Sequence, residues 1–297
     1  MHGIILLRKT WSLSTTQTMS IKDIFKGIFD KAFQTLGDRM KGYEKADKRK
    51  LEPKTPVIIR LDGRAFHTYT RGFKKPYDEV IGNAMKYTTI KLCEEVQNVR
   101  LAYSQSDEIT LFLADYGNKN TQQWFNGEVD KIVSLSASIA TYYFNEYMEI
   151  HHWSKYPEKK KPATFDSRSF NIPRHEVTNN FIWRQQDGIR NSISGLAQAN
   201  YSDKELHRKS TAQMLSMLED KKVHWDEMST YKKRGFCVTK EYFVLEASEL
   251  NLPENVKVTE PIMRSKWVVD EDVPIFSEDK SYIEVLVTLG ELANKYE

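Results

Sequence analysis

Apolar residues recur at helical spacing from Ile21 to about Lys48, where Ile24, Phe25, Ile28, Phe29, Phe33, Leu36 and Met40 share one side and polar residues fill the other. The pattern predicts an amphipathic helix whose apolar side packs, closed by the proline-containing stretch 50–56. Val57-Ile58-Ile59-Arg60-Leu61-Asp62-Gly63 then changes the texture to a β-branched run that stops abruptly at Asp-Gly. That is a buried strand delivering a carboxylate to its own C-terminal tip before a sharp turn. Residues 66–78 lack periodicity and read as a loop. Helical spacing returns over Glu79–Gln97 through Val80, Met85, Thr88, Ile90, Leu92 and Val96. Arg100–Tyr103 reads as a short strand, Gln105–Glu108 as a tight turn and Ile109–Leu113 as a strand. A long helix is predicted over Gly127–Glu149 with Ile132, Leu135, Ile139, Tyr143 and Tyr147 on one side, and a strand over Ala163–Phe170.

The element order is therefore β-α-β-β-α-β, the split arrangement of ferredoxin-like domains, and the fold class is α+β. In that topology the third strand lies between the first two and runs antiparallel to both. The tip of the first strand and the turn between the second and third then meet at one sheet edge, making neighbours of Asp62 and Asp107. After Pro173 the character changes. Helices are expected over His175–Ala199 and Ser202–Asp220, followed by a mixed stretch with strands at Phe236-Cys237-Val238 and Trp267-Val268-Val269 and a helix near Ile283–Lys295. The resulting division is a leader (1–20), a catalytic domain with its N-terminal helix (21–173), a helical region completing it (174–240) and a C-terminal extension (241–297).

Composition narrows the class without naming it. With 297 residues, 40% apolar and 29% charged, the chain can bury a sizeable core. No apolar run reaches the roughly 18 residues of a membrane span. A net charge of +3 says little about nucleic acid by itself. Cys93 and Cys237 are too few for a disulfide framework, and His151-His152 has no Cys or His at ligand spacing, so reduced thiols and no structural zinc are expected. Cytoplasmic residence follows from that reading. Residues 1–22 lack Asp and Glu but carry Arg8, Lys9, Lys22 and many hydroxyls, which fits a mitochondrial transit peptide. An unstructured leader, or a start at Met19, fits the same residues.

The chemistry concentrates at the two strand ends. Asp62 with Asp107 and Glu108 offers hard oxygen ligands for two Mg²⁺ ions, and the Gly63 carbonyl is approachable because no side chain crowds it. Singly, Asp-Gly is a turn signal and Ser-Asp-Glu a hairpin tip. On a shared frame the acids repel one another without a cation. Arg64, His67, Lys74 and Lys75 follow the first acid and suit triphosphate oxygens, or form a solvated basic loop. No P-loop or dinucleotide glycine fingerprint is present. A basic loop at 155–162 and scattered cations through Arg168, Arg174, Arg184, Arg190 and Lys221 suit an RNA backbone or an ordinary solvated face. Trp183-Arg184-Gln185-Gln186-Asp187 carries more polar groups than simple packing needs, with Asp187 and Asn191 sharing one helical face.

Taken in order, Arg60-Leu61-Asp62-Gly63-Arg64 with Phe66-His67, Lys75-Pro76 with Asp78, Tyr103 with Gln105-Ser106-Asp107-Glu108, Trp183-Arg184-Gln185 with Asp187 and Asn191, and Asp220-Lys221 resemble the tRNA(His) guanylyltransferase family. The resemblance covers roughly residues 55–235 and is closest to the guanylyltransferase-like branch of 3′-to-5′ RNA polymerases. It implies a palm domain of polymerase type, usually in a homotetramer. Asp62, Asp107 and Glu108 are implied as catalytic, and Asp62, Asp107 and the Gly63 carbonyl as holding two Mg²⁺ ions. Nucleotide binding is implied for Asp62, Gly63, Arg64, Ala65, Phe66, His67, Lys75, Ser106 and Asp107. Arg184, Asp187, Asn191 and Lys221 are implied to serve RNA or a second nucleotide. The implied substrates are tRNA with ATP, GTP and other nucleoside triphosphates: a 3′-hydroxyl joins a 5′ end activated by ATP. Family members that add guanosine to tRNA(His) carry His-Ile-Asn-Asn where this chain reads Ile189-Arg190-Asn191-Ser192. That departure favours template-directed repair of the tRNA 5′ end over untemplated addition of one guanosine. Another product from the same palm, as in nucleotide cyclases, and an RNA-binding protein without catalysis are the competing readings.

Overall fold

β-Branched and aromatic runs build six strands among the described residues: β1 (Val57–Gly63), β2 (Val99–Gln105), β3 (Glu108–Leu113), β4 (Phe165–Asn171), β5 (Phe236–Leu245) and β6 (Ile262–Asp270). All their pairings are antiparallel, in the order β4-β1-β3-β2-β5-β6. β3 therefore lies between β1 and β2, as the element order requires. The structure is a computed structural model that describes residues 35–116, 120–245 and 262–292. The leader and the first half of the predicted N-terminal helix lie outside these residues.

The chain divides into two compact units between Lys48 and Arg49. In the first, α1 (Leu36–Ala46) begins at Thr35, whose hydroxyl accepts from the Asp38 amide in a capping box. None of its residues is buried, so the packed apolar side expected of this helix is not seen between Leu36 and Ala46.

In the second unit the sheet has two covered faces. Val57, Ile59 and Leu61 of β1 point to the face packed by α3 (Glu79–Glu95) and α4 (Val129–Met148), after a single helical turn, α2 (Phe66–Tyr69), inside the stretch expected to be loop. The alternate residues, Ile58 with Leu101, Tyr103 and Phe112, meet α5 (Val177–Asn200). α4 is rotated from the face expected of it. Its buried residues are Val129, Ile132, Ser136, Ala140, Phe144 and Met148, whereas Leu135 is exposed and Tyr143 and Tyr147 sit at the rim. The cause is close approach: small Ser136 and Ala140 let the helix settle on the sheet, where Ser136 Oγ lies 2.8 Å from Ser167 Oγ. Tyr143 keeps its hydroxyl at the surface, donating to Glu95 Oε1 at 2.8 Å.

The helix expected over Ser202–Asp220 is two, α6 (Asp203–Leu206) and α7 (Thr211–Asp220). Arg208 takes φ +58°, which ends one helix, and Ser210 caps the next with Gln213. α8 (Thr230–Arg234) then leads into β5, which runs through the boundary expected at residue 240. β5 and β6 are both longer than the three-residue cores that the apolar runs mark. Beyond β6, Val273 and Phe276 with Ile283 and Val287 of α9 (Ser281–Leu292) fill the core between the sheet and α5. Gln185 of α5 fixes that crossing: its Nε2 donates to Pro274 O at 2.8 Å and its Oε1 accepts from Phe276 N at 2.8 Å. The C-terminal segment is thus a structural wall of this unit.

Phe276 is fully buried, its ring 5.5 Å from that of Tyr103. Phe276→Ala is expected to lower unfolding free energy by about 3–5 kcal/mol in denaturant titration. A loss under about 1 kcal/mol would show that the segment is dispensable to the core.

Candidate functional site

The antiparallel register sets the acids in a row. Asp62 on β1 is paired with Glu108 on β3 and, on its other side, with Asp166 on β4. Asp107 belongs to the two-residue turn between β2 and β3, and its carbonyl accepts from the Gly63 amide at 3.1 Å, tying that turn to the end of β1. Ser106, the first turn residue, has φ +57°, a region that residues other than glycine seldom enter. Its hydroxyl donates to Asp107 Oδ1 at 3.0 Å.

The electrostatics are those of a site short of positive charge. Burial and then Asp166 raise the Asp62 carboxyl above its usual range, despite Arg168, Arg60 and Arg184. Burial and then the Asp62 charge push Asp107 up to about 6. Glu108 is treated differently. Arg184 of α5 forks it, Nε on Oε1 at 2.5 Å and Nη2 on Oε2 at 2.8 Å, and Arg184 also donates to Asp187 Oδ2 at 2.9 Å. Both Glu108 oxygens are thereby engaged. α5 approaches the hairpin closely because Gly188 faces Gln105; a Cβ there would lie 2.8 Å from Gln105 Cγ.

Beside Asp107 opens a cavity of about 400 Å³, within the size range of small-molecule sites. Phe66, His67, Lys75, Ser106 and Asp107 line it, so these expected nucleotide-site residues converge. Asp62 and Gly63 stand at the strand end next to it. Arg64 and Ala65 are exposed; the Arg64 amide donates to Thr164 O at 2.8 Å, and Ala65 turns the chain into α2 at φ +54°. Gly63 has a steric reason to be glycine: a Cβ would sit 2.2 Å from the Phe66 ring. The second residue group does not converge. Arg184 and Asp187 lie beside the acids, and Asn191 is exposed one turn on. Lys221, stacked 3.8 Å over Tyr201 and donating to Asn200 O, is at the far end of α5, about 24 Å along the helix from Arg184.

Several site residues had no usable signal in the sequence. Tyr231 and Lys232 of α8 close the cavity wall, both bound to Glu79, with Lys232 Nζ 2.6 Å from Glu79 Oε1. Asp166 was one acid of a strand, conspicuous only once the register set it opposite Asp62. Asp78, which belongs to the Lys75-Pro76 motif, caps α3. It accepts from the Val80 amide at 3.0 Å and from the Lys74 amide at 3.0 Å, pinning the loop that carries Lys75.

A carboxylate pair at a sheet edge, beside a cation-lined cavity of this size, is the equipment of a nucleotidyltransferase. The Thg1 family model, described as tRNAHis guanylyltransferase, matches residues 37–173. A bacterial tRNA(His) guanylyltransferase (Thg1)-like protein solved in complex with ATP is 41% identical, covering 85% of this chain and 99% of its own, with a TM-score of 0.74. One solved in complex with GTP is 39% identical over 86% and 99%, with a TM-score of 0.69. The tRNA(His) guanylyltransferase of Schizosaccharomyces pombe is 32% identical over 160 residues, 52% of this chain and 56% of that protein, so the match spans about half of that relative. The chain belongs to the tRNA(His) guanylyltransferase (Thg1)-like family.

The raised Asp107 carboxyl makes a prediction about the ligand-free protein. Its folded-state value of about 6 exceeds the ordinary aspartate value, so the folded state holds the proton more tightly and stability falls as pH rises from about 4 through about 6. In metal-free buffer at pH 7.5, Asp107→Asn should be more stable than wild type by about 1–2 kcal/mol after allowing for solvent screening, and should lack that slope. Equal stability at both pH 4.5 and pH 7.5 contradicts the assignment.

Proposed function

We propose that this chain extends the 5′ end of tRNA in the 3′-to-5′ direction, using template-directed addition to repair or edit that end. The observation that carries the proposal is the Asp107 turn bonded to the end of β1 next to Asp62, beside a cavity lined by His67, Lys75 and Ser106. We read β1–β4 with α3 and α4 as a ferredoxin-like palm, supported by the strand order β4-β1-β3-β2.

Two carboxylates and the Gly63 carbonyl form a hard-oxygen donor set that suits Mg²⁺, and the mutual repulsion of Asp62 and Asp107 is relieved by a cation. Among the described residues no three His, Cys, Asp or Glu side chains group to hold a metal, and Mg²⁺ held by Asp62, Asp107 and the Gly63 carbonyl would draw its other oxygens from substrate phosphates and water. Bound there, two Mg²⁺ ions supply an acidified hydroxyl and charge neutralisation for a triphosphate. The protein's own part is to bind and orient. His67, Lys74 and Lys75 face the cavity and take phosphate oxygens of the nucleotide. Ser106 holds Asp107 in place, and Arg184 holds Glu108, which fixes the base of the same hairpin. The RNA 5′-phosphate first attacks the α-phosphorus of ATP, releasing pyrophosphate and leaving AMP on the 5′ end. The 3′-hydroxyl of the incoming nucleotide then attacks the RNA 5′-phosphorus, AMP leaves, and the new 5′ end carries the triphosphate.

Template-directed repair is favoured over single guanosine addition by Ile189-Arg190-Asn191-Ser192. The 41% identity to a Thg1-like protein over nearly all of that protein's length also supports it. Assembly as a homotetramer belongs to the same proposal, as does residence in the cytoplasm, or in mitochondria if residues 1–20 act as a transit peptide.

With 5′-truncated tRNA, ATP and all four nucleoside triphosphates, the chain should add the nucleotide complementary to the opposing base: G opposite C and U opposite A. Addition of G regardless of that base would replace repair by guanosine addition. Asp62→Ala and Asp107→Ala should each cut kcat/KM by about 10³-fold or more, and chelation of Mg²⁺ should stop the reaction. Unchanged turnover in Asp62→Ala, or no 5′ extension by wild type, sinks the proposal.

A further inference from the structure

Trp183 is 49% exposed on α5, although Phe181, Arg184 and Gln185 around it are buried. A lone exposed aromatic is ordinary on a protein surface, so what matters is how this one is held. This ring is held in place. The Arg184 guanidinium carbon lies 4.4 Å from its centroid and that of Arg60 lies 5.5 Å away, and Arg184 is itself anchored on Glu108 and Asp187. A neighbour fixed by two carboxylates limits the indole's motion, which lowers the entropic cost of stacking another plane upon it.

Two further guanidinium groups stand nearby. Arg60 and Arg168 are cross-strand partners on the sheet face that α5 covers, and two like charges so placed disfavour the pairing unless an anion joins them. Arg168 has Asp166 at 3.2 Å, both side chains being about half exposed. The Arg60 guanidinium makes no hydrogen bond or ion pair with a described residue, only the stack on Trp183 and longer-range attraction to Glu108 and Asp62. Arg60 and Asp62 point to the same face of β1, about 7 Å apart along the strand. The cavity with His67 and Lys75 is walled by Phe66, Met85 and Phe236, whose side chains belong to the opposite face. The acids at the strand ends therefore stand between a cavity on one side and an aromatic surface with guanidinium groups on the other.

We propose that Trp183, Arg60 and Arg168 seat one nucleotide of the acceptor RNA at its 5′ end, the base stacked on the Trp183 indole and a phosphate between the two guanidinium groups. An aromatic plane with flanking cations is how single strands are held without sequence preference. A free nucleotide offers the same chemistry, but an open surface without enclosing walls favours a polymer end anchored elsewhere along its length. This inference rests on the proposed RNA substrate and adds the residues that receive it.

The test is equilibrium binding of a 5′-phosphorylated RNA hairpin with an unpaired 5′ nucleotide, alongside ATP binding, for wild type, Trp183→Ala, Trp183→Phe and Arg168→Gln. Trp183→Ala should weaken RNA binding about 10- to 100-fold, while Trp183→Phe stays within about threefold and ATP affinity is unchanged. Arg168→Gln, at an exposed position, should lower the slope of log K against log salt by about one. RNA binding by Trp183→Ala equal to wild type, or an unchanged salt slope in Arg168→Gln, overturns the inference. So does a parallel loss of ATP affinity in Trp183→Ala, which would make this a free-nucleotide site. A wild-type chain that neither binds nor extends RNA overturns the proposed function itself, which separates the two failures.

Discussion

The site depends on the antiparallel pairing of β1 with β3. Its register places Asp62 opposite Glu108 and brings the Asp107 turn against the end of β1 through the Gly63 amide. Slipping that register by one residue would turn Asp62 into the apolar core on the α3 side. The same pairing has a cost, because it buries acids and sets them beside one another, and burial first and the neighbouring charge second raise the Asp62 and Asp107 carboxyls. Carboxylates held this close in the ligand-free chain are a reserve of unfavourable charge that a cation relieves. Stability is given up where chemistry is wanted.

A chain of specific contacts keeps the edge in place. The core beneath α9 buries Phe276, whose amide donates to Gln185 of α5. One residue away, Arg184 forks Glu108, and Gly188 lets the helix close on Gln105, the two residues that bracket the Ser106-Asp107 turn. The end of the chain therefore reaches the acids through one helix. Breaking the Arg184–Glu108 fork would leave a charge half-buried without a partner, which is why the fork is a strong fixture even if its net contribution to stability is small.

What could be read from the sequence was what local pattern encodes. Val57-Ile58-Ile59 announced a strand and Asp62-Gly63 its end, and the element order then implied that Asp107 is near. His67 and Lys75 were legible as polar and cationic groups following the first acid, Ser106 came with the resemblance, and all three line one cavity. Patterns failed where tertiary contact decides. On α4 the apolar stripe through Leu135 and Tyr143 was the obvious face, but small Ser136 and Ala140 permit closer packing and won. Tyr231 and Lys232 reach the cavity from far along the chain, so no spacing rule marks them. Lys221 resembled a partner of Arg184 by family order alone, and the length of α5 keeps the two apart.

The direction of synthesis is the central claim, and it can be read from a tRNA whose 3′ end is chemically blocked. The chain, with ATP, Mg²⁺ and one α-labelled nucleoside triphosphate complementary to the opposing template base, should place the label at the 5′ end of that blocked RNA. The elongated product should carry a 5′-triphosphate, and AMP should be released in equal amount. Loss of labelling when the 3′ end is blocked, or label recovered at the 3′ end, would contradict 3′-to-5′ extension by the Asp62–Asp107 site.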